Sequence, residues 1–372
     1  MANSISTPWP AHPQPLSDEL FSSWMIRSAR CNGRKLRNFI CMMAPSIRCI
    51  TKNIDSFVSP QNLALIASKM KTSEQRAYQT TLDSYSGVLF ECASIRTRHK
   101  QNILSVGETR NHLHYQQYCP LCLSEGEPYY RRSWRISFIT VCVRHHCQLL
   151  DRCTNCNSPV MPMANEMRHK HLIYKGKFTI CHKCNTDLKK LDVHVAHDGV
   201  VKDTKYYLEI CDKGIFQPSN DAWVYSFSFF CLLRHMIRVY VESQGASAFV
   251  GRFINPDRLP LSVRFAALKD MEGIFQRWPD GFITYCQERG ISYSSISPMA
   301  KTNGGVVPYW VEEAIKKHIY FPNIEPSDVS VLAAIDVMKR DGLRASISSV
   351  NRFMGFTDSR VIKKVIKTVR ES

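Results

Sequence analysis

The sequence contains no apolar run long enough to cross a membrane. Its most apolar stretch, from Ala222 to Leu233, has twelve residues and is followed by Arg234 and His235. A transmembrane helix needs about 20 apolar residues, so this stretch instead predicts a buried helix. The segment from Met1 to Pro15 is rich in proline and serine and has no basic region followed by an apolar core, so we expect no signal peptide. The sequence therefore predicts no membrane association.

A nucleotide-binding G-x-x-x-x-G-K-[ST] loop is also missing, which argues against an ATPase or GTPase. Acidic residues are in the minority: the 372 residues include 49 Lys and Arg against 32 Asp and Glu, a formal net charge of +17. Such an excess of positive charge attracts polyanions. The composition therefore favours nucleic acid or a nucleoprotein as a partner.

Cysteine is abundant, and seven cysteines and one histidine form four short-spaced pairs between residues 119 and 184. In each pair two residues separate the ligands, so that both side chains turn inward from one tight knuckle, and two knuckles supply the four ligands of a tetrahedral structural zinc. The pairs are Cys119-Pro120-Leu121-Cys122, Cys142-Val143-Arg144-His145, Cys153-Thr154-Asn155-Cys156 and Cys181-His182-Lys183-Cys184.

The gaps between the pairs predict how they combine. Nineteen residues separate the first pair from the second and twenty-four separate the third from the fourth, whereas only seven lie between the second and the third. Consecutive pairs therefore predict two structural Zn²⁺ sites, with no position open for catalysis. The first site consists of Cys119, Cys122, Cys142 and His145, with His146 and Cys147 as competing ligands, and the second of Cys153, Cys156, Cys181 and Cys184.

The remaining cysteines are scattered without a framework of pairs. This usage is typical of a reducing compartment and predicts a cytoplasmic protein. Outside the cysteine-rich segment the apolar residues follow helical spacing. We therefore predict a mainly α fold with a small zinc-stabilised α/β centre. The expected domains are a helical, helix-turn-helix-like domain (1–115), a tandem zinc-binding segment (116–195), a helical domain (196–300) and a C-terminal helix-turn-helix domain (301–372).

Local signals predict several boundaries. Ser17 or Asp18 is expected to cap a first helix, and Ser59-Pro60 is a typical helix start. Thr72 with Gln75 forms a candidate capping box for the next helix. The residues 129–143 are rich in aromatic and β-branched types and predict short strands. The arginines within that stretch are expected on a solvated polar face: Arg131, Arg132 and Arg135.

The last 45 residues give the clearest helix-turn-helix pattern. A supporting helix is expected to end at Asp341-Gly342, a short helix follows, Gly355 permits a turn, and Asp358 is a candidate cap for a final helix. In that helix the apolar and basic residues fall on different sides, as a recognition helix in a DNA groove requires, although a solvated surface helix has the same pattern. The candidate DNA-binding residues are Arg352, Arg360, Lys363, Lys364 and Lys367.

Several segments, taken together and in order, resemble the TniQ/TnsD family of transposon target-selection proteins. They are Pro15 to Trp24, Leu63 to Ala67, Leu82 to Gly87, Tyr118 to Leu123, Trp134, Cys142 to His145, Cys153 to Cys156 and Trp278 to Phe282. The resemblance is strongest over roughly residues 10 to 190.

This resemblance implies a non-enzymatic protein of a heteromeric transposon. Such a protein recognises either attachment-site DNA or a DNA-bound CRISPR RNA-guided effector, and recruits an AAA+ ATPase regulator and the transposase. A homodimer is a further interpretation. Two alternatives remain: a zinc-containing DNA-binding transcription regulator, and an HNH-type nuclease that would use His145-His146, Asn165 and His169, whose spacing is unconvincing.

Overall fold

The computed structural model describes eleven segments of the chain and divides it into two compact units, Met1–Ile315 and Lys316–Ser372. Helices dominate both units, and the two small sheets have two strands each. The predicted mainly α fold with a small α/β centre around the cysteine pairs is confirmed. The four-domain division stays a prediction. The described segments are residues 7–44, 54–56, 58–91, 100–104, 116–163, 179–219, 222–244, 254–302, 307–319, 325–356 and 359–371.

Fourteen α-helices lie in these segments. They are α1 (Phe21–Cys31), α2 (Leu36–Met43), α3 (Pro60–Lys69), α4 (Glu74–Tyr78), α5 (Pro120–Ser124), α6 (Asp198–Lys213), α7 (Ser226–Ser243), α8 (Leu261–Asp270), α9 (Asp280–Glu288), α10 (Tyr293–Ile296), α11 (Tyr309–His318), α12 (Asp328–Arg340), α13 (Ile347–Phe353) and α14 (Arg360–Glu371). The antiparallel strand pairs are β1 (Val141–Cys142) with β2 (Cys147–Gln148), and β3 (Ile215–Ser219) with β4 (Ala222–Tyr225). Short 3₁₀ helices occupy Leu82–Tyr85, Ser133–Arg135, Leu188–Lys190, Pro256–Arg258 and Ser297–Thr302.

Helix α1 lies at the centre of the N-terminal core, and its side chains are almost all buried. The predicted cap at Ser17 or Asp18 is wrong, because the helix begins at Phe21 and the Asp18 carboxylate accepts hydrogen bonds from the backbone and side chain of Ser133. The amide of Ser22 in the first turn instead donates to Asp55 Oδ1, at 2.7 Å. A carboxylate from a distant segment therefore satisfies the helix start.

Helix α3 begins as predicted at Ser59-Pro60, and Ser59 Oγ accepts a hydrogen bond from the amide of Asn62. The next helix starts one residue later than the expected capping box. Ser73, and not Thr72, accepts the hydrogen bond from the third helical amide, that of Arg76. A single-residue error of this kind is expected where two hydroxyl residues are adjacent and both suit the position.

The residues 129–143 contain less strand than predicted. Only Val141–Cys142 forms a strand, and Ser133–Arg135 is a 3₁₀ helix. The solvated position expected for Arg135 is also wrong: its side chain is 1% exposed and pairs with Asp55 at 2.8 Å. The aromatic and aliphatic side chains are buried here because they fill the core, while the backbone remains irregular.

The apolar stretch around residue 230 is a buried helix, as predicted, but it starts later. Helix α7 begins at Ser226, and Trp223 lies on strand β4 with 60% of its surface exposed. Further along α7, Phe230 stacks on Phe138 with the ring centroids 4.6 Å apart. This contact packs the central helices against the cysteine-rich segment.

In the described part of the smaller unit, helices α12 to α14 pack around one apolar cluster. Helix α12 ends as predicted before Asp341-Gly342, and Ser359 caps α14 by accepting from the amide of Ile362. The expected cap Asp358 lies outside the described residues. The buried cluster comprises Val331, Ile335, Met338, Val350, Ile362, Val365 and Ile366.

Among the described residues, no helix combines the length and apolar character that a membrane span requires.

Candidate metal centres

The first ligand cluster is assembled by a short helix and a tight turn. Cys119 precedes α5, and its Sγ accepts a hydrogen bond from the amide of Cys122, at 3.5 Å. Cys142 lies on β1, and His145 lies in the turn that leads to β2, where His146 adopts a φ of 48°. Residues about twenty positions apart are thereby brought to one point.

The four predicted ligand atoms of this cluster lie within 4.8 Å of one another. His145 Nδ1 is 3.5 Å from Cys119 Sγ, 3.3 Å from Cys122 Sγ and 3.5 Å from Cys142 Sγ. Cys122 Sγ and Cys142 Sγ are 3.6 Å apart. A tetrahedral zinc with bonds of about 2.3 Å to sulfur and 2.0 Å to nitrogen separates its ligand atoms by about 3.5–3.8 Å. The spacing therefore fits a four-coordinate ion.

Side-chain hydrogen bonds make the thiols unequal. Hydrogen bonds with Cys119, Cys122 and Cys147 lower the pKa of Cys142. Hydrogen bonding with Cys119 and Cys142 raises the pKa of Cys122 far above the usual range of a thiol. Several thiolates cannot share this buried volume without a compensating cation. The positive charge of a bound divalent ion would compensate the repulsion between the thiolates, and all of its thiol ligands would be deprotonated.

His145 is oriented by a carboxylate that the sequence did not suggest. Its Nε2 donates to Glu125 Oε1 at 2.7 Å, while the other Glu125 oxygen accepts from Arg144 Nη2 at 2.8 Å. Because a carboxylate only accepts, the proton resides on Nε2 and the lone pair of Nδ1 faces the three thiols. Carboxylate partners of this kind orient metal-binding histidines in proteins.

The second cluster is built from two similar knuckles. An asparagine with positive φ follows each pair, Asn157 at 54° and Asn185 at 60°, and its amide donates back to the first cysteine of its pair. Cys153 Sγ is 3.6 Å from Cys184 Sγ, Cys156 Sγ is 3.6 Å from Cys181 Sγ, and all four sulfurs lie within 4.8 Å of one another. The four members are those that the spacing predicted: Cys153, Cys156, Cys181 and Cys184.

Thr186 is a further residue that the sequence did not single out. Its hydroxyl lies 3.1 Å from Cys184 Sγ and lowers the pKa of that thiol to about 6. Burial raises the pKa of Cys181 to about 12. A motif search finds ligands by their spacing, but it has no signal for a single hydroxyl or carboxylate beside them.

The predicted DNA-binding residues lie on the surface of the smaller unit. All five are exposed. Four of them lie on helix α14, and Arg352 lies on the preceding helix α13. Lys364 Nζ is 3.9 Å from Asp328 Oδ2, an ion pair between two well-exposed side chains. The exposed members on α14 are Arg360, Lys363, Lys364 and Lys367.

The nuclease alternative involves His145, which faces three thiols, and His146, which is exposed. The other residues of that alternative, Asn165 and His169, lie outside the described residues.

A comparison with protein families matches residues 10–149 to the TniQ family. The matched region runs from the segment before α1 to the strand β2 and includes all four ligands of the first cluster, whereas the second cluster lies beyond it. No curated protein matches the chain. The family match confirms the resemblance drawn from the sequence, although it ends before the Cys153–Cys156 pair and the Trp278–Phe282 turn. Residues 10–149 of the chain are therefore a TniQ domain, and that family is associated with transposition.

Proposed function

We propose that this protein is a non-catalytic target-selection component of a heteromeric transposon. It recognises the insertion target and recruits an AAA+ ATPase regulator and, through it, the transposase. The observation that carries this proposal is the TniQ family match over residues 10–149. The target is either attachment-site DNA or a DNA-bound CRISPR RNA-guided effector.

Both clusters are proposed to hold structural Zn²⁺. Thiolates select soft metals, and a tetrahedral set of sulfur with at most one imidazole is typical of zinc. In each cluster the protein supplies four ligand atoms within 4.8 Å of one another. With four protein ligands no position remains for water or substrate, so the ions stabilise the fold and do not catalyse.

The smaller unit is proposed to contact DNA through α14. Residues 316–372 carry eleven Lys and Arg against six Asp and Glu. Val365 and Ile366 belong to the apolar cluster of this unit, while the basic side chains of the same helix are exposed. A helix that is anchored by one face and basic on the other can enter a groove of DNA and meet its phosphates.

The double variant Lys363→Ala/Lys364→Ala tests direct DNA contact. When a phosphate contact is lost, the DNA keeps the counterions that the contact would have released. We therefore expect weaker binding and a salt dependence that is shallower by about one unit per lost contact. Affinity is measured for the full chain by fluorescence anisotropy at several salt concentrations. The matched control is Lys202→Ala/Lys205→Ala, which removes the same charge from exposed positions on α6.

Transposition in cells separates the two kinds of target. If the α14 variant loses transposition but keeps the affinity and salt slope of the unaltered protein, the helix docks a protein or ribonucleoprotein and does not read DNA. If affinity and slope fall together with transposition, direct DNA contact is supported.

Incubation of the protein with supercoiled DNA and Mg²⁺ or Mn²⁺ is expected to leave the DNA intact, and metal-dependent nicking would contradict the non-catalytic role.

A further inference from the structure

A fifth sulfur lies beside the first metal cluster. Cys147 is 1% exposed, and its Sγ is 3.6 Å from Cys119 Sγ. Across the β1–β2 ladder Cys147 is the direct partner of Cys142. Cys147 is therefore held by backbone pairing next to two of the three cysteines that we assign to the first zinc.

The distance between Cys147 and Cys119 is one that sulfur atoms adopt when they share a metal ion. Two thiolates on one tetrahedral zinc lie about 3.7 Å apart. Cys122 and Cys142, which belong to the cluster, have their sulfurs at the same 3.6 Å separation as Cys119 and Cys147. Cys147 is not among the four residues whose ligand atoms all lie within 4.8 Å of one another, so its side chain must move to bring its sulfur to the metal.

His145 is more exposed than Cys147, with 16% of its side chain accessible to solvent. It lies in the turn between the strands, and its Nε2 is bound to Glu125, whose side chain is 47% exposed. Cys147 is on the strand itself, and its side chain is buried. Loss of the imidazole would leave a zinc ion with three thiolates, and a buried thiol stands beside two of them.

We propose that Cys147 is a reserve ligand of the first metal centre. His145 holds the fourth position in the ordinary state, with Glu125 orienting its ring. When the imidazole is withdrawn, the Zn–N bond breaks, the Cys147 thiol passes its proton to water, and the resulting thiolate forms a Zn–S bond. The centre then changes from three sulfurs and one nitrogen to four sulfurs without releasing its metal. This inference rests on the zinc centres proposed above.

Cobalt substitution tests the exchange of ligands. Co²⁺ occupies tetrahedral zinc sites, and its thiolate-to-metal charge-transfer absorption grows with the number of Co–S bonds. The unaltered chain has seven such bonds if His145 is a ligand, three in the first centre and four in the second. We expect the His145→Ala variant to keep two ions per chain and to show the absorption of eight Co–S bonds.

Two further variants serve as controls. Cys147→Ala is expected to keep two ions and the spectrum of the unaltered protein, because His145 remains. The double variant His145→Ala/Cys147→Ala is expected to retain one tightly bound ion, since its first centre has only three cysteines. If His145→Ala cannot be isolated in folded form, Glu125→Ala is the deciding variant, because the imidazole of His145 then lacks its hydrogen-bond acceptor. We expect its absorption to lie between that of seven and that of eight Co–S bonds. An unchanged spectrum contradicts the inference.

The outcomes distinguish this inference from the zinc proposal itself. If the unaltered protein binds fewer than two ions, the metal centres themselves are wrong. If it binds two while His145→Ala binds one, or binds two without additional Co–S absorption, the reserve role of Cys147 is overturned and the centres stand. Loss of an ion from Cys147→Ala alone would make Cys147 the resident ligand and would also overturn it.

Discussion

Glu19 and Arg27 form a buried ion pair in the N-terminal core. Arg27 donates from Nε to Glu19 Oε1 at 2.8 Å and from Nη2 to Glu19 Oε2 at 2.7 Å, and the Glu19 side chain is fully buried. The same guanidinium also reaches Glu127, a carboxylate that is 53% exposed, at 3.1 Å. One arginine thus has a buried and an exposed partner, which allows the two environments to be compared directly.

The Glu19→Ala variant is expected to destabilise the protein by about 3–5 kcal/mol, because the Arg27 charge would stay buried without its main partner. Glu127→Ala is the matched control and should cost less than about 1 kcal/mol, since water screens an exposed pair. Urea unfolding of the metal-loaded protein measures both. Equal losses in the two variants would contradict this assignment.

Thr186 is expected to strengthen metal binding at the second centre. Its hydroxyl lowers the pKa of Cys184 to about 6, which keeps that ligand as a thiolate at neutral pH. In Thr186→Val the pKa of Cys184 rises, protons compete better with the metal, and zinc affinity falls by about tenfold, as for other lost partners of metal ligands. The loss should be larger at pH 6 than at pH 8.

Chelator competition at several pH values measures this effect. Thr154→Val serves as the control because Thr154 is exposed in the neighbouring knuckle. An affinity loss that does not vary with pH would show that Thr186 acts through packing and not through the ionisation of Cys184.

At the scale of elements, helix α14 contributes Ile362, Val365 and Ile366 to the apolar cluster of the smaller unit. Val365→Asp places a charge on this buried face, and an unpaired buried charge costs several kcal/mol. We expect the smaller unit to unfold in the full chain. Limited proteolysis should then cleave within residues 325–371, whereas Thr368→Asp, a change at an exposed position of the same helix, should leave that region resistant.

The elements that the sequence predicted well have their stabilising atoms close along the chain. Ser59 caps α3 through an amide three residues away, and α12 ends beside Gly342, whose φ is 71°. The predictions failed where the partner is distant. Asp18 contacts Ser133 instead of a helix start, and Arg135 contacts Asp55 instead of solvent. Local chemistry carries no information about such contacts.

The two candidate metal centres show the same difference between features set by nearby residues and features set by distant ones. The grouping of the eight candidate ligands could be predicted, because paired spacing within a knuckle is a local property, and the structure brings each set of four together. Glu125 and Thr186 were missed because nothing in their spacing marks them. The position of Cys147 beside Cys119 depends on the pairing of β1 with β2, and a strand of two residues leaves no periodic pattern.

At the scale of the whole molecule, metal removal is expected to unfold the cysteine-rich segment. Zinc in a structural site contributes roughly 10 kcal/mol or more of apparent binding free energy, and the segment has little regular secondary structure to replace it. Inductively coupled plasma mass spectrometry should find two zinc ions per chain. Acidification should release them, because protons compete with zinc for the ligands.

Cys153→Ser should remove the second ion and expose the amides of residues 151–163 and 179–190 to hydrogen exchange. Cys286→Ala is the control, since Cys286 is buried outside both clusters and its loss should leave two ions in place. Folded protein that contains no metal would contradict the assignment of both centres.

Arg264 shows that the end of the family match is not a boundary of the fold. Helix α8 begins more than one hundred residues after position 149, yet the buried guanidinium of Arg264 donates to the backbone oxygen of Ser137 and, at 3.0 Å, to Gln117 Oε1. Phe138 stacks on Phe230 in the same region. Transplanting residues 10–149 alone into a relative would leave these acceptors unpaired and an aromatic face open. A chimera that exchanges residues 10–149 must therefore carry α7 and α8 of the same donor protein with them, or join the chains beyond residue 270.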